Sequence, residues 1–181
     1  MKSLSEIEEI CNFYGIKNYT INDDGSIDVD GVVNLIGKGL YELPLTFNRV
    51  GGDFNCSNNH LTTLKGCPKY VGNFFSCSYN DLTSLEYSPK YVGGSFNCGG
   101  NKITDLYGIS DNIGTYLYCF SRNPIGSIIH KEVDTDFIRA FNSYRVIKDD
   151  KVNLKRLKYV MELFDMEYDL EKIKDFYIIN D

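Results

Sequence analysis

The feature that most constrains this chain is a sequence that repeats every 21 residues. Four apolar residues mark the step, each followed directly by a glycine: Val50, Val71, Val92 and Ile113. Because one short unit cannot bury its apolar side chains alone, a chain with a fixed period of about 20 to 50 residues stacks successive units against one another. The repeat therefore predicts a solenoid.

Within each unit, the pattern F-x-C-x-x-N-x-L-x-x-L recurs, starting at Phe54, Phe75 and Phe96. Weaker copies flank these three, and the last one carries a one-residue insertion between Cys119 and Asn123. The pattern resembles short bacterial-type leucine-rich repeats, and the resemblance covers residues 31–128. It implies an α/β repeat solenoid of about five turns, with one short strand per turn and a parallel sheet on the concave face.

The fixed positions of the repeat are expected to build the core. Alternate side chains of a strand point to opposite faces, so the apolar positions of successive turns should form two buried columns. The first column is Phe54, Phe75, Phe96 and Leu117, and the second is Cys56, Cys77, Cys98 and Cys119. The asparagines Asn59, Asn80 and Asn101 are expected to bond backbone groups in the turns.

The cysteines are interpreted as buried free thiols. They occur once per turn, whereas a structural metal site needs several Cys or His ligands that converge on one point. Stacked strands lie within the distance that a disulfide can bridge, but a buried cysteine also serves as a small apolar residue. We expect no metal and no cofactor.

The two ends of the chain are predicted to cap the repeats, with boundaries at 1–30, 31–128 and 129–181. Apolar residues at helical spacing predict a helix over 4–14, with a capping box formed by Ser5 and Glu8 and a stop at Gly15. An Asp-Gly turn in "YTINDDGSIDVDG" predicts a hairpin. Three C-terminal helices are expected, beginning at Asp134 or Thr135, at Asn153 and at Leu170, the third ending at Tyr177. The alternative for this end is a partner-binding module.

The outward positions of the repeat vary from turn to turn and are the candidates for binding a partner. The predicted binding residues on the concave face are Asn55, Phe74, Ser76, Asn97, Tyr116, Tyr118 and Phe120. Exposed Tyr and Phe side chains supply contact area with few rotatable bonds, which suits a protein interface. The aromatic residues of the last turn could instead pack beneath the C-terminal helices, and the sequence leaves both alternatives open.

Composition argues against several classes of function. The net charge of −6 and the pI near 5.0 are unlike those of a general nucleic-acid binder. No apolar run approaches the roughly 18–20 residues that span a bilayer, and the N-terminus has no apolar signal-peptide core. The chain carries no recognisable catalytic or phosphate-binding motif. We therefore expect a cytoplasmic protein that is not an enzyme, with no nucleic-acid or membrane partner.

A narrower resemblance extends over nearly the whole chain. The stretches "YTINDDGSIDVDGVVNL" and "GLYELPLTFNRVGGDFNC", with the helical tail after "FIRAFNSYRVIKDD", are similar to a family of small leucine-rich-repeat proteins of bacteriophages and prophages. The resemblance implies a non-catalytic protein-protein interaction module that binds and inhibits a bacterial host protein, such as a defence component. The alternative is a structural or assembly subunit of a virion or larger complex. The oligomeric state stays open.

Overall fold

Each turn of the repeat contributes two very short strands, which stack on those of the neighbouring turns as two parallel sheets. The structure is a computed structural model and describes residues 2–110 and 112–180. The solenoid has about four turns of 21 residues, with helices at both ends. This architecture confirms the predicted α/β repeat solenoid.

The first sheet begins with an antiparallel hairpin and continues with parallel strands. Its members, in order, are β1 (Tyr19–Ile21), β2 (Ile27–Val29), β4 (Phe47–Val50), β6 (Tyr70–Val71) and β8 (Tyr91–Val92). The sequence predicted the hairpin but not the parallel strands that extend it. A second strand in each turn is therefore a correction to the expected single strand.

The second sheet is the one predicted from the F-x-C segments. Its members are β3 (Val33–Asn34), β5 (Phe54–Asn55), β7 (Phe75–Ser76), β9 (Phe96–Asn97) and β10 (Leu117–Tyr118). Every neighbouring pair is parallel, and the register aligns residues one repeat apart. The stacking confirms the register predicted from the 21-residue step.

The core includes the two predicted columns. Phe54, Phe75 and Phe96 are buried and follow one another in a column, with ring centroids 5.9 Å and 4.7 Å apart. All six cysteines of the chain are buried and free, as predicted. Burial raises the pKa of the Cys119 thiol to about 12, so this thiol stays protonated and apolar at neutral pH.

Buried asparagines join each turn to the one before it. The Oδ1 atom of Asn80 accepts a hydrogen bond from the backbone N of Leu61 at 2.9 Å, and its Nδ2 atom donates to the backbone O of Cys56 and of Cys77, each at 3.0 Å. Equivalent bonds recur at each turn, and we call this set the asparagine ladder: Asn59, Asn80, Asn101 and Asn123. The inserted residue before Asn123 does not interrupt it.

The N-terminal helix α1 (Leu4–Tyr14) has the predicted bounds and ends at Gly15, whose φ of 68° is left-handed. The predicted capping box of Ser5 and Glu8 is wrong. Ser3 is the N-cap instead: its Oγ atom accepts from the backbone N of Glu6, whose carboxylate accepts from the backbone N of Ser3. The N-cap lies two residues before the predicted one, where the same Ser-x-x-Glu spacing occurs.

The C-terminal region contains the three predicted helices and a small sheet that was not predicted. In chain order it comprises a 3-10 helix (Pro124–Ser127), α2 (Thr135–Ser143), β11 (Ile147–Lys148), β12 (Lys151–Asn153), α3 (Leu154–Leu163), α4 (Leu170–Lys174) and β13 (Ile178–Asn180). Asp134 and Asn153 are the predicted N-caps of α2 and α3. The third helix ends three residues before Tyr177, because the chain turns into β13, which pairs with β12.

This region packs on the last turns of the solenoid. Val133 pairs with Leu117 at the edge of β10, and Thr135 Oγ1 donates to the backbone O of Ile113 at 2.8 Å. Tyr177 Oη donates to the backbone O of Thr104 at 2.5 Å. Along residues 2–110 and 112–180, no helix is long and apolar enough to cross a membrane.

Candidate binding face of the second sheet

The outward residues of the second sheet form one column that ends in a tyrosine. Strand register aligns Asn34, Asn55, Ser76, Asn97 and Tyr118. Their inward neighbours on the same strands are fully buried. The structure therefore places four of the predicted binding residues in one column, and we call the seven predicted residues together the second-sheet face.

Two asparagines of this face are held in fixed conformations by their own backbone. Asn55 Oδ1 accepts from the backbone N and the Oγ of Ser57, at 3.0 and 2.7 Å. Asn97 Oδ1 accepts from the backbone N of Gly99 at 3.0 Å. Asparagine side chains commonly bond the backbone two residues ahead in this way. Within the described chain, the Nδ2 donors of both residues have no hydrogen-bond partner, so they are available to a binding partner.

Ser76 lies at the centre of the column but offers little surface. Its exposed fraction is only 2%, and its Oγ atom lies 3.1 Å from that of Ser78. The longer side chains of Asn55 and Asn97 occupy the flanking turns in register. A partner that contacts the middle of the face would therefore meet these asparagines more than the serine.

Phe74 directly precedes β7 and is half-buried. Its backbone N donates to Asp53 Oδ1 at 3.1 Å, and the same oxygen accepts from Asn73 Nδ2 at 2.6 Å. The carboxylate of one turn thus fixes the backbone of the next at the point where the phenylalanine emerges. Because Phe74 is half-buried, part of its side chain is accessible to a partner.

The aromatic residues of the last turn differ in exposure. Tyr116 is 44% exposed, whereas Tyr118 and Phe120 are half-buried. The chain near Val133 pairs with the backbone of Leu117 and so covers the edge of β10 without burying Tyr116. The sequence left open whether the aromatic residues of this turn are exposed or pack beneath the C-terminal helices. Tyr116 is exposed and does not pack beneath them.

A second aromatic feature, on the first sheet, was missed by the sequence reasoning. The exposed rings of Tyr70 and Tyr91 stack with centroids 4.8 Å apart and planes within 4° of parallel. The guanidinium of Arg49 lies 5.3 Å from the centroid of Tyr70, a cation–π geometry. The signal was present in the sequence as Lys-Tyr-Val at 69–71 and again at 90–92.

No protein-family model matches the chain, and neither a curated protein nor a solved structure gives a significant match to it. In the part of the chain that the structure describes, no three His, Cys, Asp or Glu side chains are grouped so that they could hold a metal ion.

Proposed function

We propose that this protein is a non-catalytic binding module of the leucine-rich-repeat type, whose second-sheet face binds a protein partner. The observation that carries the proposal is the pair of fixed asparagines, Asn55 and Asn97, whose Nδ2 donors are unpartnered among the described residues. Side chains that are ordered before binding lose little entropy when a partner arrives. Beside them, Tyr116 adds an accessible aromatic ring of the kind that dominates protein interfaces.

The partner that we propose is a bacterial host protein. The resemblance of the repeats and both caps to small phage and prophage proteins supports this choice. A module without catalytic machinery acts on another protein by occupying its surface, so inhibition of a host defence component is the proposed outcome, in the cytoplasm of the host. The competing role is that of a virion or assembly subunit.

Affinity purification from infected cells separates these roles. A tagged copy of the full chain is expected to recover a host protein in stoichiometric amount. Recovery of virion components instead would assign the protein to assembly and contradict inhibition. Recovery of no protein under gentle conditions would contradict both roles.

Tyr116→Ala is expected to weaken binding to the recovered partner by about 2 kcal/mol or more, as for a typical interface hot spot. The melting temperature should hardly change, because the ring is exposed and its removal creates no cavity. Isothermal titration calorimetry and a thermal melt on the same preparation measure both quantities.

Tyr107→Ala is the matched control, because Tyr107 is a still more exposed tyrosine on a loop outside the second-sheet face. Its removal should leave the dissociation constant unchanged. Phe74→Ala should weaken binding, by less than Tyr116→Ala because less of the ring is accessible. Unchanged affinity in both the Tyr116 and the Phe74 variants would exclude this face as the binding surface.

A further inference from the structure

The C-terminal region concentrates positive charge on an otherwise acidic protein. Residues 144–159 contain six Lys or Arg and two Asp, a net charge of +4. Since the whole chain carries −6, the remaining residues carry −10. The six cationic side chains are all exposed, and we call them the basic patch: Arg145, Lys148, Lys151, Lys155, Arg156 and Lys158.

Two lysines of the basic patch oppose each other directly. Lys148 on β11 pairs with Lys151 on β12 across an antiparallel hairpin, an arrangement in which like charges destabilise the pair. The third strand offers no counter-charge there, because it places Ile178 beside Lys151. Asp149 and Asp150 form the turn, but neither makes an ion pair with a cation of the described residues. The repulsion is therefore not relieved within the described protein.

The neighbouring helix adds to the uncompensated charge. Lys155 and Arg156 lie in the first turn of α3, which contains no acidic residue, although the positive end of the helix dipole disfavours cations. The Arg156 guanidinium donates to the backbone O of Arg145 at 3.4 Å. This bond connects α3 to the segment that precedes β11. Among the described residues, Lys158 is the one cation of the six that forms an ion pair, with its Nζ atom 3.9 Å from the Glu162 carboxylate.

An aromatic pair lies at one side of the patch. Tyr144 and Tyr159 are exposed, with ring centroids 4.9 Å apart and hydroxyl oxygens 3.5 Å apart. Each of the two rings therefore partly covers one face of the other. The pair offers hydroxyl groups and ring edges, which carry the positive end of the aromatic quadrupole and favour anionic groups.

We propose that the basic patch docks an acidic, Asp- or Glu-rich segment of a partner protein. Uncompensated cations beside tyrosine hydroxyls are complementary to a short row of carboxylates. A nucleic acid fits less well, because a long polyanion would extend from the patch over the rest of the protein, whose residues together carry a net charge of −10. This surface is separate from the second-sheet face, and the proposal does not depend on the function proposed for that face.

The test uses the full chain and a fluorescein-labelled octapeptide of alternating glutamate and serine, followed by fluorescence anisotropy at low salt. The probe should bind, and its affinity should fall as salt rises, because salt screens exposed charges. The triple variant Lys148→Gln, Lys151→Gln, Lys155→Gln should bind about tenfold more weakly, since each exposed pairing contributes a modest amount. The peptide in which glutamine replaces glutamate should not bind.

The control variant, Lys65→Gln, Lys90→Gln, Lys131→Gln, has the same net charge and changes exposed lysines outside the patch. It should bind the probe within about twofold of the unaltered protein, as expected for distant surface charges.

In a thermal melt, Lys148→Gln should be at least as stable as the unaltered protein, because it removes the Lys148–Lys151 repulsion. Absence of peptide binding, or equal losses in the two triple variants, would overturn the proposal. Tighter binding of an eight-nucleotide oligothymidine than of the peptide would also overturn it, by assigning the patch to nucleic acid.

Discussion

Replacing Gly72 with alanine is expected to lower the free energy of unfolding by about 3 kcal/mol or more, at or beyond the upper end of the usual range for overpacked sites. A Cβ atom at this position would lie 2.0 Å from the backbone O of Gly51 and 2.8 Å from its backbone C. Because both atoms belong to the backbone of the preceding turn, no side-chain rotation relieves the clash. Urea-induced unfolding of the purified variant measures the loss.

Gly51→Ala is the matched control for this prediction. The same repeat position one turn earlier has its nearest atoms, the Arg49 guanidinium and the backbone O of Val29, at 3.6 Å, an ordinary contact distance. Its stability should be unchanged or raised by up to about 1 kcal/mol, since alanine restricts the unfolded chain. Similar losses in the two variants would show that the turns are not stacked in this register.

Asn80→Ala is expected to lower the free energy of unfolding by about 1–3 kcal/mol, the usual cost of one buried polar group left without a partner. The side chain bonds three buried backbone groups, on Leu61, Cys56 and Cys77. Alanine makes none of these bonds, so the backbone N of Leu61 loses its acceptor. The carbonyls of Cys56 and Cys77 still accept from the asparagines of the neighbouring turns. Thermal and urea unfolding, with circular dichroism as the signal, measure the change.

His60→Ala provides the comparison, because His60 follows the equivalent asparagine of the preceding turn but is exposed. Its ring stacks on Tyr41 with centroids 5.2 Å apart and lies 3.9 Å from the Asp81 carboxylate. Exposed contacts of this kind contribute little, so the loss should stay under about 0.5 kcal/mol. A loss as large as that of Asn80→Ala would contradict the assigned roles of the two positions.

The second sheet and its core could be predicted because stacking requires the same buried residue at each turn. Phe54, Phe75 and Phe96 meet one another, so the packing preserves the aromatic residue and the period becomes visible in the sequence. The strands of the first sheet also recur with the period, at Val50, Val71 and Val92, but nothing in the sequence marked them as strands. Strands of two residues, such as Tyr70–Val71, are too short for an alternating pattern to be recognised.

Exposure on the candidate face could be predicted only in part. The side to which a residue points follows from strand alternation, and this placed Asn55, Ser76 and Asn97 in one column. How much of each remains accessible depends on the lengths of its neighbours in other turns. The 2% exposure of Ser76 therefore had no signature in its own repeat.

The hairpin that carries the basic patch was also beyond the sequence reasoning. The helices predicted to begin at Asp134 or Thr135 and at Asn153 are correct, but between them the usual Asn-Gly or Asp-Gly hairpin signal is absent. Asp149 and Asp150 both adopt left-handed backbone conformations, with φ of 52° and 55°, as a tight two-residue hairpin turn requires. The strand that completes this sheet, β13, comes from far along the chain, where no local pattern shows the pairing.

The second-sheet face depends on one claim, that buried asparagines lock successive turns into a rigid stack. Amide hydrogen exchange of the free protein tests it directly. The backbone N–H groups of Leu61, Leu82 and Ile103 donate to the Oδ1 atoms of Asn80, Asn101 and Asn123, at 2.9, 3.1 and 3.0 Å. The account predicts that these three amides exchange only through global unfolding, far more slowly than those of exposed loop residues such as Thr62 and Thr83. Exchange of all three at the rate of the loop amides would contradict it.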